Sequence, residues 1–319
     1  MNLSWNNFTK DTTTSAPTLS QEVARRLLLF YIIQTTAYIV LSSVALFGNT
    51  LVILVFVYDR RLLKKSYNIL ILSLAVSDVL SAVIVIMTHV ANHYFLPSNP
   101  VYGAIFCKII ATFFFPWQLL FFSVYICLLL SVERWIAIVK PHKYSSIFRR
   151  KNVAGCILAS WVWSCLLMSS AILDMEYNPN SVFRCRVNII GKGSSARLFV
   201  GVFQVMMMVF FPCLVMIGLY IHMIVSVNSS VVASAESKAK LRGKMTRMVA
   251  IVCFILIICY TPSRIFLFLA FTGNVNIYST VNGVLSLLTF FSSCINPLVY
   301  GFSNGNFRQR YKNVFSGLC

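Results

Sequence analysis

Charged side chains are rare in this chain, and only a few lie inside or at the end of long apolar stretches. Asp78 lies in the middle of the stretch 66–91, and Glu133 and Arg134 follow the run LLLSV. An unpaired carboxylate in an apolar medium is costly, so Asp78 is expected to point inward to polar partners or water. Arg134 falls where its stretch ends, and a long side chain there can lie along apolar surface while its head reaches water. The charges alone therefore predict one buried polar cluster and one interfacial anchor.

Motifs for bond-breaking chemistry are absent from the sequence. There is no HExxH, no P-loop and no nucleophile elbow, and the four histidines are scattered at His89, His93, His142 and His222. The chain is therefore not expected to be an enzyme. A transporter would be expected to show internal repeats or several paired ionisable residues at mid-membrane, whereas Asp78 is the only acid deep in an apolar stretch. A seven-helix transporter is kept only as a remote alternative.

The composition predicts a membrane protein. Of the 319 residues, 58% are hydrophobic and 11% are charged, whereas roughly 25% of the residues of soluble domains are charged. A membrane-spanning helix needs about 20 mainly apolar residues, because lipid cannot satisfy exposed backbone polar groups. Seven stretches qualify, which predicts an all-α membrane protein built as a seven-transmembrane helix bundle. Their approximate bounds are 29–57, 66–91, 104–138, 152–173, 198–226, 245–271 and 276–301.

The distribution of lysine and arginine predicts the orientation of the chain. The odd-numbered connections and the C-terminal tail carry about twice as many basic residues as the opposite side, and cytoplasmic loops carry this excess. Asn2 and Asn7 begin glycosylation acceptors, which are usable only outside the cytosol. We therefore expect a multi-pass protein of the cell membrane with an extracellular glycosylated tail over 1–28, a membrane domain over 29–301 and a cytoplasmic segment over 302–319. The net charge of +19 then reflects topology and anionic lipid headgroups and not nucleic acid.

Two of the ten cysteines are predicted to form a disulfide. The other eight lie in apolar runs or in the cytosolic tail, so Cys107 and Cys185 alone face an oxidising compartment. The partly alternating stretch 181–190 around Cys185 predicts a β-hairpin, with its turn within 177–180. The disulfide would hold this hairpin over the mouth of the bundle.

Several short motifs together resemble the rhodopsin-like, class A, G-protein-coupled receptors over nearly the whole chain. Each motif is weak alone, but seven occur in the expected order. They are Gly48-Asn49, Leu74 to Asp78, Glu133-Arg134-Trp135, Trp161, Pro212 with Tyr220, Cys259 to Pro262, and Asn296-Pro297-Leu298-Val299-Tyr300. The resemblance implies a receptor that passes an extracellular signal to a heterotrimeric G protein and also binds arrestin.

The resemblance also implies a switch at the cytoplasmic end of the third helix. Glu133 would hold the Arg134 guanidinium at rest, and on activation the arginine would move toward Tyr220 and Tyr300. Adjacent helical residues do not share a face, so a loose Glu133–Arg134 restraint is expected.

Two prolines are expected to make this movement possible. Pro262 would act as the hinge of the sixth helix, and Pro297, after Asn296, would loosen the seventh. Tyr260 stands where the family usually has a tryptophan, so the switch below the ligand is expected to work differently.

Asp78 resembles a residue that forms part of an allosteric sodium pocket in this family, and its nearest candidate partners are Ser123, Asn296 and Asn49. The alternative is a hydrogen-bonded structural cluster without an ion. No other cofactor is expected.

The outer half of the bundle is cationic and aromatic, which bears on the ligand. The third helix lacks an acid between Cys107 and Val132, which argues against a monoamine, and the seventh stretch lacks a lysine for a retinal Schiff base. Arginine binds carboxylates well, so Arg264 predicts an anionic group on the ligand, unless it pairs with Asp174, Glu176 or a backbone carbonyl. A peptide is expected first and a small acid or lipid acid second. The candidate pocket residues are Trp117, Gln118, Arg264, Arg184, Arg186, Gln204 and His89.

A short amphipathic helix is predicted after the seventh stretch. Phe307, Tyr311, Val314 and Phe315 fall on one helical face with basic residues between them, which is typical of a helix at the lipid interface. Cys319 is either palmitoylated or a free thiol. The stretch from Cys107 to Arg134 is about two residues longer than is usual in the family, and a bulge or kink at Pro116 is expected to absorb the excess.

Overall fold

The computed structural model describes residues 19–94, 99–179, 185–187, 195–229, 236–276, 279–303 and 305–317. The predictions for Asn2, Asn7, Arg184 and Cys319 lie outside these residues, and only the backbone of Arg186 is described.

Within the described ranges, seven helices are long and apolar enough to cross a membrane, which confirms the predicted bundle. All seven match the predicted stretches to within four residues at each end. They are Leu28–Tyr58, Ser66–Ala91, Pro100–Val139, Arg150–Asp174, Leu198–Ser226, Thr246–Ala270 and Thr280–Phe302. Below, these are the first to seventh spans. The helices that contain the first and sixth spans run over Leu19–Tyr58 and Glu236–Phe271.

The third span is the centre of the bundle. Of the residues in its most apolar stretch, 72% are buried, whereas 22% are buried in the corresponding stretch of the fourth span. Residues that sit deepest in the core include Leu120, Phe121 and Ile126 of this span. Because the third span contacts the second, fourth, fifth and sixth spans, any rearrangement of those helices must take place around it.

The third span is irregular before Pro116, so the expected position of its bulge was wrong. It consists of an α-helix over Pro100–Phe106, a π-helical turn over Cys107–Ala111, and a second α-helix over Phe114–Val139. Between these two helices, Phe113 adopts the left-handed conformation, with φ of 53°. Pro116 lies in the first turn of the second helix, where backbone N–H groups have no partner within the helix. Its missing N–H therefore costs no intrahelical hydrogen bond. The irregular part of the third span therefore lies over residues 107–113.

A two-stranded hairpin covers the same end of the bundle. Strands β1 (Met175–Tyr177) and β2 (Cys185–Val187) are antiparallel, with Tyr177 opposite Cys185. The predicted hairpin is confirmed, but its first strand begins upstream of the expected stretch. The predicted disulfide between Cys107 and Cys185 is also confirmed. We call this end of the bundle the disulfide end, and the opposite one the Arg134 end.

The hairpin packs closely on the start of the third span. A Cβ atom on Gly103 would lie 2.5 Å from the ring of Tyr177. Only a residue without a side chain fits there, so the glycine allows the hairpin to sit directly on the helix.

The predicted amphipathic helix follows the seventh span, as Gly305–Ser316. Val314 is buried, and the Tyr311 hydroxyl donates a 3.2 Å hydrogen bond to the carbonyl oxygen of Pro297. Arg310 forms an ion pair with Asp59 at the end of the first span. The hydrogen bond from Arg310 is the main reason that the pKa of Asp59 lies below its usual range. The short helix is thus fixed to two spans at the Arg134 end.

Candidate functional site

Glu133 and Arg134 form a direct ion pair at the end of the third span. The Glu133 carboxylate accepts hydrogen bonds from Nε and Nη2 of Arg134. Both residues are buried, with exposed fractions of 0% and 7%. The expectation of a loose restraint was therefore wrong. The two Cβ atoms point to different faces, but the long arginine side chain turns back so that its planar fork meets both carboxylate oxygens.

Two tyrosines complete this cluster, and sequence reasoning missed both. The Tyr144 hydroxyl, from the short helix Pro141–Ile147, donates a hydrogen bond to Glu133 Oε1. The Arg134 guanidinium carbon lies 4.4 Å from the centre of the Tyr67 ring of the second span. Burial, and then the charge of Glu133, raise the pKa of the Tyr144 phenol above its usual range. Tyr144 therefore remains protonated and can donate its hydrogen bond throughout the physiological pH range.

A cavity of about 400 Å³ lies beside this cluster. Arg134 and Tyr220 line it, as the resemblance to the receptor family implies. Tyr300 is buried outside the cavity lining. The remaining wall comes largely from apolar residues of the fifth and sixth spans, with Arg247 at its edge. Separation of these two spans would enlarge the cavity and expose Arg134.

Asp78 lies in a fully buried hydrogen-bond cluster. Its two carboxylate oxygens accept bonds from Ser293 Oγ at 2.8 Å and Asn296 Nδ2 at 2.9 Å. Ser123, a predicted partner, instead donates to the carbonyl of Leu119 and hydrogen-bonds Ser77. Asn49, the other candidate, reaches the cluster indirectly through the carbonyl oxygen of Ser293, at 3.0 Å.

This cluster has the oxygen atoms that a small hard cation needs. Besides the Asp78 carboxylate, two buried oxygens lack a hydrogen-bond partner within the described part of the chain: Asn49 Oδ1, and Oγ of Ser81, which lies about one helical turn after Asp78. Oxygen ligands of this type suit hard cations. The residues therefore fit the sodium ion that the family resemblance implies.

A second cavity, of about 220 Å³, lies at the disulfide end. It brings together Trp117, Gln204 and Arg264, three of the predicted pocket residues. Other polar residues of its lining are Thr112, Ser170, Asp174, Asn282 and Ser286. The third to seventh spans thus all contribute to one pocket.

Two other predicted pocket residues do not line this cavity. Gln118 donates a 2.7 Å hydrogen bond to Ser164 Oγ of the fourth span. His89 is buried near the end of the second span, where its Nδ1 lies 3.1 Å from the carbonyl oxygen of Val85. Gln118 is engaged with a neighbouring helix and His89 with its own helix, so their assignment to the pocket was wrong.

Arg264 is the most unusual residue of the pocket. Its exposed fraction is 6%, and its guanidinium carbon lies 4.4 Å from the centre of the Trp117 ring and 5.2 Å from that of Phe121. The structure shows one hydrogen bond from the guanidinium, from Nη2 to Ser263 Oγ at 3.1 Å, while Nε has no partner among the described residues. The predicted alternative, an ion pair with Asp174 or Glu176, is not formed in this part of the chain.

Comparison with known proteins agrees with this arrangement. The family model described as 7 transmembrane receptor (rhodopsin family) matches residues 48–300. The chain belongs to this family. The receptor is 30% identical over 287 residues to somatostatin receptor type 2 of Mus musculus, and the match covers 88% of this chain and 76% of that protein. It is 31% identical over 291 residues to the allatostatin-A receptor of Bombyx mori, which covers 86% of this chain and 77% of that protein. It is not an enzyme.

Tyr260 connects the sixth span to the third span below the Arg264 cavity. Its hydroxyl donates a 3.1 Å hydrogen bond to the carbonyl oxygen of Leu120 in the third span, and its ring meets Phe121 edge to face. It lies one helical turn from Arg264 and two residues before Pro262. Arg264 itself follows Pro262 by two residues, so a change at Arg264 acts within one turn of both Tyr260 and the sixth-span proline.

The sequence contained weak signals for some of the residues that were missed. Ser293 belongs to a polar pair within an apolar stretch, and that pair indicates a polar partner nearby. The sequence gives no comparable signal for Tyr67 or Tyr144, which reach the Glu133–Arg134 pair only through the packing of the receptor.

Proposed function

We propose that the receptor binds an extracellular peptide at the disulfide end and activates a heterotrimeric G protein at the Arg134 end. The observation that carries this proposal is the pair of separate cavities, one beside Arg264 and one beside Arg134, joined by the sixth span. The relatives named for the peptides somatostatin and allatostatin A support a peptide ligand. The hairpin over the pocket mouth offers backbone edges with which a peptide can pair.

The orientation that this function requires is supported by charge and by the disulfide. The disulfide end faces an oxidising compartment, and the excess of lysine and arginine lies on the opposite side. The N-terminus is accordingly extracellular and the C-terminus cytoplasmic, in the cell membrane. Arrestin would use the same cytoplasmic cavity as the G protein.

The short helix Gly305–Ser316 is proposed to rest on anionic lipid headgroups. Its residues Arg308 and Lys312 are exposed, while Val314 and Tyr311 face the protein. Basic residues next to a membrane surface are each worth about 1 kcal/mol of attraction to anionic lipid.

Activation is proposed to begin at the pocket and to end at the ion pair. A ligand on Arg264 shifts the segment that contains Tyr260, and the sixth span pivots at Pro262, where proline removes a backbone hydrogen bond. The lower part of that span then moves away from the third span. Arg134 leaves Glu133 and becomes part of an open cavity that also contains Tyr220.

Sodium is proposed to favour the resting receptor. Asp78 would hold the ion, with Asn49 and Ser81 as further oxygen ligands, and the ion would supply positive charge that neutralises the buried carboxylate. The test is agonist-free nucleotide exchange in NaCl against KCl at equal ionic strength. Sodium should lower exchange in the native receptor and leave the Asp78→Asn variant unchanged, and an equal response of both proteins would contradict the proposal.

A small acid or lipid acid is the second candidate ligand, and the buried cation Arg264 favours it. A single anionic group satisfies that side chain without any peptide backbone. Peptide and acid are distinguished by whether the ligand needs the hairpin: cleaving or deleting residues 178–184 should abolish a peptide response but leave a response to a small acid.

The proposed function is tested by G-protein activation in cells. The receptor is expressed with a panel of G-protein sensors and screened with peptide and organic-acid libraries. Arg134→Ala is the matched variant, because it keeps the outer pocket and removes the cytoplasmic cation. A response that is specific to the receptor and lost in Arg134→Ala is expected. A ligand response that is equal in both proteins would refute G-protein coupling through this site.

A further inference from the structure

Arg264 is a buried cation without a counter-ion in the described part of the receptor. Desolvating a charged group is costly unless hydrogen bonds or an opposite charge compensate. Here the compensation comes from two aromatic rings and one serine hydroxyl. Cation–π contacts with such rings recover only part of the cost of desolvating a guanidinium. The site is therefore incomplete as it stands.

The nearby acids do not complete it. Asp174 lines the same cavity, but it forms no ion pair with Arg264 and is engaged in another interaction. Glu176, in β1, likewise forms no ion pair with Arg264 in the described part of the receptor. The missing partner must therefore come from elsewhere.

The packing of Arg264 leaves part of its hydrogen-bonding capacity unused. Trp117 and Phe121 lie one turn apart on the third span and occupy the vicinity of the guanidinium centre. Ser263 uses only Nη2, whereas Nε is buried and unpartnered. A carboxylate binds the fork of an arginine through two parallel hydrogen bonds. The unpaired Nε is one half of such a fork.

We propose that Arg264 is the anchor for a carboxylate group of the ligand. This inference rests on the proposed function and specifies its chemistry: the residue that enters the cavity is a C-terminal residue with a free carboxylate, or an aspartate or glutamate. The same cavity would take the carboxylate of a small organic acid.

The size and depth of the cavity limit what reaches Arg264. The residue lies seven positions before the end of the helix at Phe271, which places it roughly 10 Å below that end at 1.5 Å per residue. The cavity volume of about 220 Å³ accommodates about one large amino-acid residue. One terminal or acidic residue therefore enters the pocket, while the rest of a peptide stays at the hairpin.

The test uses small probes on the purified receptor in lipid nanodiscs. N-acetylphenylalanine carries the proposed carboxylate, and N-acetylphenylalaninamide is the same molecule without the charge. At millimolar concentration the acid should raise the melting temperature of the receptor and the amide should not. The Arg264→Gln variant should lose the response to the acid. Arg264→Lys keeps the charge but not the fork, so it should need at least a tenfold higher acid concentration.

The matched control is Arg149→Gln, an exposed arginine at the Arg134 end of the protein, which should keep the full response. Without any probe, Arg264→Gln should melt roughly 2–4 °C higher than the native receptor, because it removes an uncompensated buried charge. A variant that melts lower would show that Arg264 is a structural cation, and would overturn the proposal. Equal shifts with acid and amide on the native receptor would also overturn it, and that comparison needs no variant.

These outcomes separate the carboxylate site from the receptor function. A carboxylate-specific, Arg264-dependent shift in a protein that never stimulates nucleotide exchange would refute the proposed function and leave the site standing. Peptide-driven nucleotide exchange that is unaffected by Arg264→Gln would refute the site and leave the receptor function standing.

Discussion

Removal of the Tyr144 hydroxyl should raise agonist-free signalling, because that hydroxyl stabilises the resting position of Glu133. Tyr144→Phe deletes one hydrogen bond to a carboxylate whose exposed fraction is 0%. Hydrogen bonds to charged groups contribute about 1.5–3 kcal/mol. The lower limit applies here, since Glu133 keeps both of its bonds to Arg134.

A loss of about 1.5 kcal/mol from the resting state alone corresponds to a roughly tenfold change in the resting-to-active equilibrium. If the active state holds on the order of 1% of the native receptor, it should rise to about 10% in the variant. Basal nucleotide exchange should then increase close to tenfold. The assay is GTPγS uptake by a purified G protein with equal amounts of receptor in nanodiscs and no agonist.

Two controls isolate the contact. Tyr58→Phe makes the same chemical change at a tyrosine that is 64% exposed, and should leave basal exchange unchanged. In a Glu133→Gln background the acceptor charge is already gone, so Tyr144→Phe should add little, since mutations in one network are not additive. Basal exchange within twofold of the native value would refute the reasoning, and so would an equal effect of Tyr144→Phe in both backgrounds.

Three further predictions concern stability. Gly103→Ala should destabilise the receptor by about 1–3 kcal/mol through a clash with the Tyr177 ring. The control Gly218→Ala has open space around the new Cβ and should be neutral or slightly stabilising. Equal melting temperatures for the two variants would contradict this prediction. Reduction of the disulfide, which joins residues separated by 78 positions, should lower the melting temperature. The loss of stability should be at most about 4.5 kcal/mol, because helices that persist in the membrane limit the chain entropy gained on unfolding. An unchanged melting temperature would show that the hairpin is held by packing alone. The Asp59–Arg310 pair should restrain the short helix above the usual carboxyl pKa of about 4 and cease to restrain it as pH falls through the lower folded pKa of Asp59. The contacts of Tyr311 and Val314 remain, so a spin label on that helix should become more mobile in acid without full release, and Asp59→Asn should show the higher mobility at every pH. A pH-independent label in the native receptor would refute the prediction.

The sequence by itself determined the number of spans, their bounds, the disulfide and the short amphipathic helix. The physical reason is that lipid leaves the backbone almost no alternative to helix, so apolar length converts directly into a span. The disulfide could be predicted because only two cysteines lay outside the apolar runs and the tail that follows the last span.

Lateral contacts were decided by the tertiary structure alone. Trp117 and Gln118 are neighbours in the sequence, yet the first lines the pocket and the second binds the fourth span. Successive helical residues differ by about 100° in direction, and the π-helical turn over Cys107–Ala111 changes the rotation of every residue before it. The sequence contains no mark that fixes this rotation.

The same limit applies to charge. The sequence shows that Arg264 and Glu133 are ionisable residues within apolar stretches, but not which side chains each one contacts. Packing gave Glu133 three hydrogen bonds, including one from Tyr144, and left Nε of Arg264 without a partner in the described residues. Whether a buried charge is satisfied depends on side chains brought in from other helices, and only the folded bundle sets those distances.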